Sequence, residues 1–421
     1  MDKESLAEKL KSLGVNLGTK NIGAKKSLKR AAIQDVVSGR IIANAEGEFF
    51  LHEEQFGWDA VTEPNPFLQP PVWGPVFDWA RLPGLEIAHL GNIIFLDTET
   101  SSLAGGTGTI PFMVGYGAFN ETGFLVRQYF LREPSEELAM LHDLTRAMNG
   151  CELLVSFNGK SFDVPLLNAR HVINRVQSPF KNLGHLDLLH LARKIWKKRL
   201  EDRSLKALER EILGFERTDE EIPSWMVPEI YFEYLRTGDP APLAGVFYHN
   251  ANDILSLGIL LLHITSLLNT PDKAPKPQAL DQVSIARIYE EQENYARALE
   301  LYEQGLALGL PQDHAIDTLL RAADLCKKNR NGEKAVTFWQ QAAEKSDLQA
   351  CIELAKWHEH TLRDIPAALK WTEQAMAMVE ISALTPFRKR EARKELGHRK
   401  ERLQLKQQKS ATRTAEDTTE N

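Results

Sequence analysis

Two carboxylates close an apolar run in Ile93-Ile94-Phe95-Leu96-Asp97-Thr98-Glu99-Thr100. In an extended strand residues i and i+2 share a face, so Asp97 and Glu99 emerge side by side at its C-terminal end. Carboxylates crowded in this way repel each other unless a cation sits between them. A strand ending in an acidic turn is the plain alternative, and the choice depends on whether more carboxylates reach the same point. Asp163 follows a second apolar run (153–157) and opens the helical stretch Val164-Pro165-Leu166-Leu167. Its competing use is helix capping, in which it accepts free backbone N–H groups. Asp253 stands just ahead of Ile254, Leu255, Leu257, Ile259 and Leu260. A carboxylate beside that much apolar core needs a partner, and a metal ion is the natural one. His249 precedes Asp253 by four residues and shares its face on a helix, while Tyr248 is turned away.

Positioning these groups requires strands and helices in alternation. The run over 93–96 reads as a strand covered on both faces. Two strand-like runs follow, 111–119 and 124–131, joined by the hairpin signal Asn120-Glu121-Thr122-Gly123. A helix over 135–148 places Leu138, Leu141, Leu144 and Met148 on one face, and the strand 153–157 comes next. Helical periodicity then fills most of 164–268. This order argues for an α/β domain with a mixed sheet flanked by helices.

Asp97-Thr98-Glu99-Thr100, then Asn158-x-x-x-Phe162-Asp163, then Tyr248-His249-x-x-x-Asp253 resemble, in order, the three motifs of the DEDD 3′–5′ exonucleases. That superfamily has a ribonuclease H-like fold, and within it the pattern is most similar to the bacterial YprB-type domain. The resemblance covers about residues 88–270. It implies that Asp97, Glu99, Asp163 and Asp253 are the metal-binding acids of a nuclease that hydrolyses DNA or RNA. Two Mg²⁺ or Mn²⁺ ions about 3.5–4 Å apart then clamp the phosphodiester, one activating water and the other stabilising the leaving 3′ oxygen. His249 is the candidate base, and Thr98, Asn158 and Tyr248 are expected at the substrate. In the histidine subtype the base stands five residues before the last Asp, and in the tyrosine subtype four. Here Tyr248 stands at five and His249 at four, and helical geometry favours His249. The competing functional readings are an inactive nuclease-like adaptor and a structure-specific endonuclease on the same fold.

The remaining chain divides around this domain. Residues 1–87 form an N-terminal extension, weakly ordered to about residue 30. It carries a β-hairpin around Asn44-Ala45-Glu46-Gly47 and an irregular segment with six prolines between Pro64 and Pro83. A proline-rich linker occupies 271–278. Beyond it, Ala298 to Gln304 aligns with Ala335 to Gln341 and with Ala368 to Gln374, at spacings of 37 and 33 residues. Paired helices at this period resemble tetratricopeptide repeats, covering about 279–380 and suited to recruiting a protein partner. Residues 381–421 form a basic helix and polar tail. Between Arg388 and Lys409 ten Lys or Arg stand against three Glu, so a chain of net charge −7 carries −14 elsewhere. That balance excludes a protein coating nucleic acid by charge alone. The basic helix reads as a solvated face or as a patch for nucleic acid or an acidic partner.

Other features carry less chemistry. Asp187 reads as a helix N-cap. Residues 193–199 (Arg-Lys-Ile-Trp-Lys-Lys-Arg) read as a solvated face or a phosphate track. Gly105-Gly106-Thr107-Gly108 is no Walker loop and is expected to free the backbone beside the substrate. Three scattered cysteines and a charged N-terminus point to a reduced cytoplasmic setting without a secretory signal. The apolar stretch 254–268 is expected to be a core helix rather than a membrane span.

Overall fold

A computed structural model describes residues 31–62, 66, 70–82, 84–102, 108–218, 221–271 and 277–419. The chain forms two compact units: one comprises residues up to Val61, Ile87–His185 and Glu216–Gly258, and the other Thr62–Glu86, Leu186–Phe215 and Ile259–Asn421. The predicted segments 1–30, 105–107 and most of the linker lie outside the described residues.

The first unit is built on β1 (Arg40–Asn44), β2 (Gly47–Gly57), β3 (Ile93–Thr100), β4 (Pro111–Asn120), β5 (Gly123–Phe130), β6 (Leu153–Ser156) and β7 (Gly184–Asp187). They make one mixed sheet in the order β1-β2-β5-β4-β3-β6-β7. The expected hairpin of the N-terminal extension is therefore part of this sheet. The reason is the length of β2, which runs past its turn to pair with β5 from Phe50↔Phe130 to Gly57↔Gly123. β3 pairs antiparallel with β4 through Glu99↔Met113 and, across a register shift, to Thr100↔Pro111, but in parallel with β6 only from Ile93↔Leu153 to Phe95↔Val155. Its acidic end thus outlasts the pairing with β6.

Helices α1 (Glu137–Ala147), α2 (Asp163–Ile173), α4 (Val227–Thr237) and the start of α5 (Leu243–Asn269) flank the sheet in this unit; α3 (Leu188–Trp196) belongs to the other. Phe95 meets Phe119 and Phe124 edge-on, each at 5.2 Å, and Phe112 stacks on Tyr231 at 4.0 Å. Glycines let α5 approach β4 closely. A Cβ on Gly115 would lie 2.4 Å from Asn250 Oδ1 and 2.7 Å from Ile254 Cγ1, and one on Gly117 2.6 Å from Ile254 Cγ2. At 27 residues, α5 is longer than the apolar stretch 254–268, and by length and composition it could cross a bilayer. However, 67% of its most apolar window is buried inside the protein, as in a core helix.

The second unit is mostly helical. Three hairpins, α6/α7 (Ala279–Glu291, Tyr295–Ala307), α8/α9 (Gln312–Lys328, Gly332–Glu344) and α10/α11 (Leu348–Trp357, Ile365–Ile381), precede α12 (Pro386–Thr419). The second helix of each pair starts alike: Asn294, Asn331 and Asp364 accept the N–H of Arg297, Lys334 and Ala367. Four residues after each cap comes a fully buried alanine, Ala298, Ala335 or Ala368. Small residues at these points allow close packing within a hairpin, which is the physical content of the repeat seen in the sequence. In the proline-rich stretch, Gly74–Ala80 is helical rather than irregular, because Pro75 falls in the first turn, where no helical N–H is lost.

The basic segments in this unit are largely matched by acids of the same unit. Glu359, whose side chain is 0% exposed, accepts from Arg399 (2.8 Å), Arg402 (2.7 and 2.8 Å) and Lys406 (2.8 Å). Arg393 pairs with Glu380 at 2.7 Å and Lys400 with Glu373 at 2.9 Å. Arg199 makes a two-pronged bond to Asp281, 2.9 Å on each side, and Lys194 pairs with Glu291. Arg393, Arg402 and Lys406 nonetheless keep about half of their side chains exposed, as expected of a solvated face.

Candidate metal centre

Asp97 and Glu99 reach the site because β3 alternates its faces. Asp97 lies opposite Gly115 on β4, and Gly115 lies opposite Gln128 on β5. The missing side chain at 115 leaves room for Asn250 of α5, which bridges the row. Gln128 Nε2 donates to Asn250 Oδ1 at 3.0 Å, and Asn250 Nδ2 donates to Asp97 Oδ2 at 3.1 Å. Gln128 Nε2 also donates to the carbonyl of Phe247 at 2.8 Å. This amide chain fixes which oxygen of Asp97 stays available.

Asp163 is the first residue of α2, not its cap. The capping position falls on Phe162, without a side-chain bond. Asp163 Oδ1 accepts instead from the hydroxyl of Thr98, so a residue expected at the substrate steadies a neighbouring acid. Asn158 lies in the turn after β6 with φ +68°, a left-handed conformation that Asn tolerates better than most residues. The next residue has to be glycine, since a Cβ on Gly159 would lie 2.5 Å from Ser156 Oγ and 3.2 Å from Asp163 Oδ2.

The third motif lies on α5. His249 Nε2 stands 3.5 Å from Asp253 Oδ2 and 3.9 Å from Glu99 Oε1. Ligand atoms of Glu99, His249 and Asp253 all lie within 4.8 Å of one another. Tyr248 faces elsewhere: its oxygen accepts the backbone N–H of Thr218 and lies in hydrogen-bond reach of that residue's hydroxyl, both at 2.9 Å. The i, i+4 argument therefore places the imidazole, not the phenol, against the acids.

Burial, followed by the charges of Asp253, Asp163 and Glu99, holds the Asp97 carboxyl well above the ordinary carboxylate range. The amide of Asn250 pulls the other way without reversing the shift. Burial is also the main cause at Glu99, which is pushed to about 7. There the nearby His249 lowers the value, while Asp253 and Asp163 raise it. Asp163 and Asp253 thus act on both carboxyls of β3. Hard oxygen donors raising one another's proton affinity fit a divalent cation, whose charge would remove the repulsion.

Three residues absent from the sequence reading complete the geometry. Arg217, with a side chain only 3% exposed, bonds to Asp253 Oδ1 and reaches both oxygens of Glu221, at 3.0 and 3.2 Å. Glu221 Oε1 lies 3.0 Å from His249 Nδ1, and Ser224 Oγ lies 3.2 Å from Nε2. No spacing rule links 217–224 to the three motifs, so their sequence carries no sign of this contact. Asn250 was legible only as a neighbour of His249. As expected, Asp187 caps α3 by accepting the N–H of Leu189 at 3.1 Å.

A model of the RNase_H superfamily matches residues 94–265, a span that starts just before the acidic end of β3 and closes after Asp253. The chain is also similar to Uncharacterized protein YprB of Bacillus subtilis (strain 168). The two are 33% identical over 293 residues, covering 68% of this chain and 69% of YprB.

Proposed function

Given that the chain belongs to the RNase_H superfamily, as its similarity to YprB and the matched domain show, we propose that it is a metal-dependent nuclease. The most specific form of this reading is a 3′–5′ exonuclease that hydrolyses phosphodiesters of DNA or RNA with two Mg²⁺ or Mn²⁺ ions. The single observation that carries it is the electrostatic convergence of Asp163, Asp253 and Glu99 on Asp97.

The ions, when bound, supply Lewis acidity at the attacking water and at the leaving oxygen. Asp97, Glu99, Asp163 and Asp253 would hold them. Asn250 and Thr98 keep Asp97 and Asp163 in fixed rotamers, so little reorganisation is needed on binding. Arg217 occupies Asp253 Oδ1 and leaves Oδ2 turned toward His249. His249 directs Nε2 at the acids, and that lone pair has two chemical uses, acceptance of a proton from water or ligation of an ion.

The test is incubation of 3′- and 5′-labelled single- and double-stranded DNA and RNA with Mg²⁺ or Mn²⁺, beside an Asp97→Ala control. The expected result is stepwise shortening from 3′ ends that requires metal and disappears in the control. Internal cuts would favour the endonuclease. No metal-dependent product on any substrate would shift the reading to an adaptor acting through its helical hairpins.

A further inference from the structure

His249 has a different contact on each ring nitrogen, and the pair of contacts decides its tautomer. Nδ1 lies 3.0 Å from Glu221 Oε1 and 3.2 Å from Arg217 Nη1. An ionised carboxylate only accepts and a guanidinium only donates, so both cannot be satisfied by the same state of Nδ1. Arg217 Nη1 already has both oxygens of Glu221, at 3.0 and 3.2 Å, and does not require the imidazole. Glu221 is also the nearer partner, so Nδ1 carries the proton and donates it to Glu221. In the neutral ring, the form that can bind a cation, Nε2 is then left with a lone pair. It faces Asp253 Oδ2 at 3.5 Å and Glu99 Oε1 at 3.9 Å, beside a Ser224 hydroxyl that can donate to it at 3.2 Å.

We infer that His249 is an ion ligand through Nε2, completing with Glu99 and Asp253 a site for a first-row transition cation, with Glu221 as the outer partner that holds its tautomer. The inference rests on the metal-dependent reading above and changes two things in it: the role of His249 and the ion preferred. A ligating histidine typically donates its other N–H to a carboxylate, which fixes the ring and raises its basicity, and the Glu221 contact has this form. Donors to an ion bound at about 2.1 Å stand about 3.0 Å apart at right angles and about 3.4 Å apart at tetrahedral angles. The observed 3.5 and 3.9 Å need only side-chain shifts of tenths of an ångström to meet this. Ser224 can yield the lone pair by rotating its O–H. A base, by contrast, needs space for a water between Nε2 and the reacting phosphorus, and Nε2 here faces the ligand oxygens directly. Imidazole nitrogen favours transition cations, whereas Mg²⁺ prefers oxygen donors, so this position should select Mn²⁺ or a later first-row ion over Mg²⁺.

The experiment uses the untagged full chain loaded with Mn²⁺, and pulsed electron paramagnetic resonance to detect directly bound ¹⁴N. Nitrogen modulation is expected in the native chain and lost in His249→Gln. Glu221→Gln should keep the modulation but bind Mn²⁺ about 10–100-fold more weakly by calorimetry. Circular dichroism on each variant confirms that it is folded. Tight Mn²⁺ binding without nitrogen modulation, or modulation that survives His249→Gln, would overturn the inference. Modulation present but no cleavage of any labelled substrate would sink the nuclease reading and leave the ligand assignment intact.

Discussion

Glu359, in the helical unit, is enclosed by Arg399, Arg402 and Lys406, whereas Asp97, in the sheet unit, is surrounded by the charges of Asp253, Asp163 and Glu99. Burial alone would raise both carboxyls. At Glu359 the hydrogen bonds from Lys406 and Arg402 outweigh it and hold the group below the ordinary glutamate range. At Asp97 the neighbouring charges add to burial, and the group is driven well above the ordinary range. The same residue class thus serves as a fastener where cations surround it, and carries mutual repulsion where acids converge. Arg217 reaches only part of the cluster, through Asp253 and Glu221.

The sharpest way to break the contrast is to remove one carboxylate from each side. Asp97→Asn should cut metal-dependent hydrolysis by at least about 10³-fold, equivalent to about 4 kcal/mol of transition-state stabilisation. Its melting temperature without metal should nevertheless rise, because a mutually repelling charge is gone. Glu359→Ala should do the reverse. Cleavage per folded molecule stays unchanged, but stability to urea falls by about 3 kcal/mol, since three cations lose a buried acceptor. If both variants lost stability equally, the distinction between fastened and mutually repelling acids would fail.

The two sites should also respond to pH with opposite signs. The folded-state value of Glu99 is raised from the ordinary 4.5 to about 7, so the folded chain holds its proton more tightly than the unfolded chain does. Stability of the metal-free protein should therefore fall as pH climbs from about 4.5 to about 7, by about 2 kcal/mol. Added Mn²⁺ should flatten that slope. Glu359 is depressed, so its contribution is present above the ordinary glutamate value and is lost as pH falls through the folded value. Urea melts from pH 2.5 to 8, with and without metal, separate the two. The smallest effect is expected at Tyr248→Phe, which gives up the contacts to Thr218, for about 1 kcal/mol of stability, with cleavage within about threefold of native. A large loss of cleavage there, with His249→Ala still active, would reverse the assignment of the imidazole.

The site was legible where chemistry and local periodicity coincide. Asp97 and Glu99 declare themselves at the end of an apolar strand, and His249 and Asp253 share a helical face that the structure preserves. Asp163 was ambiguous because a first-turn Asp serves a cap or a ligand equally well; the structure puts the cap position on Phe162 and gives Asp163 a contact from Thr98, 65 residues away. Arg217, Glu221 and Gln128 were not legible, because their meaning lies in tertiary contacts that no short spacing encodes. The hairpin at Asn44–Gly47 was read correctly as a turn, but its membership of the main sheet depends on β2 outrunning that turn to reach β5. The basic helix was legible as a solvated face, but its partners Glu359, Glu373 and Glu380 lie on other helices, so composition alone showed cations without their acceptors.

Gly115 carries a consequence for inheritance. A methyl group there would strike the amide of Asn250 and the Cγ1 of Ile254, and a smaller residue at 250 would relieve the first of these clashes. The two positions are therefore epistatic: in a double-mutant cycle, Gly115→Ala and Asn250→Ala should be less than additive in stability. The double variant still lacks the amide that steadies Asp97. A lineage crossing from one pair to the other regains part of its packing without that amide, so the glycine is held from two sides, by Ile254 and by the residue that steadies Asp97.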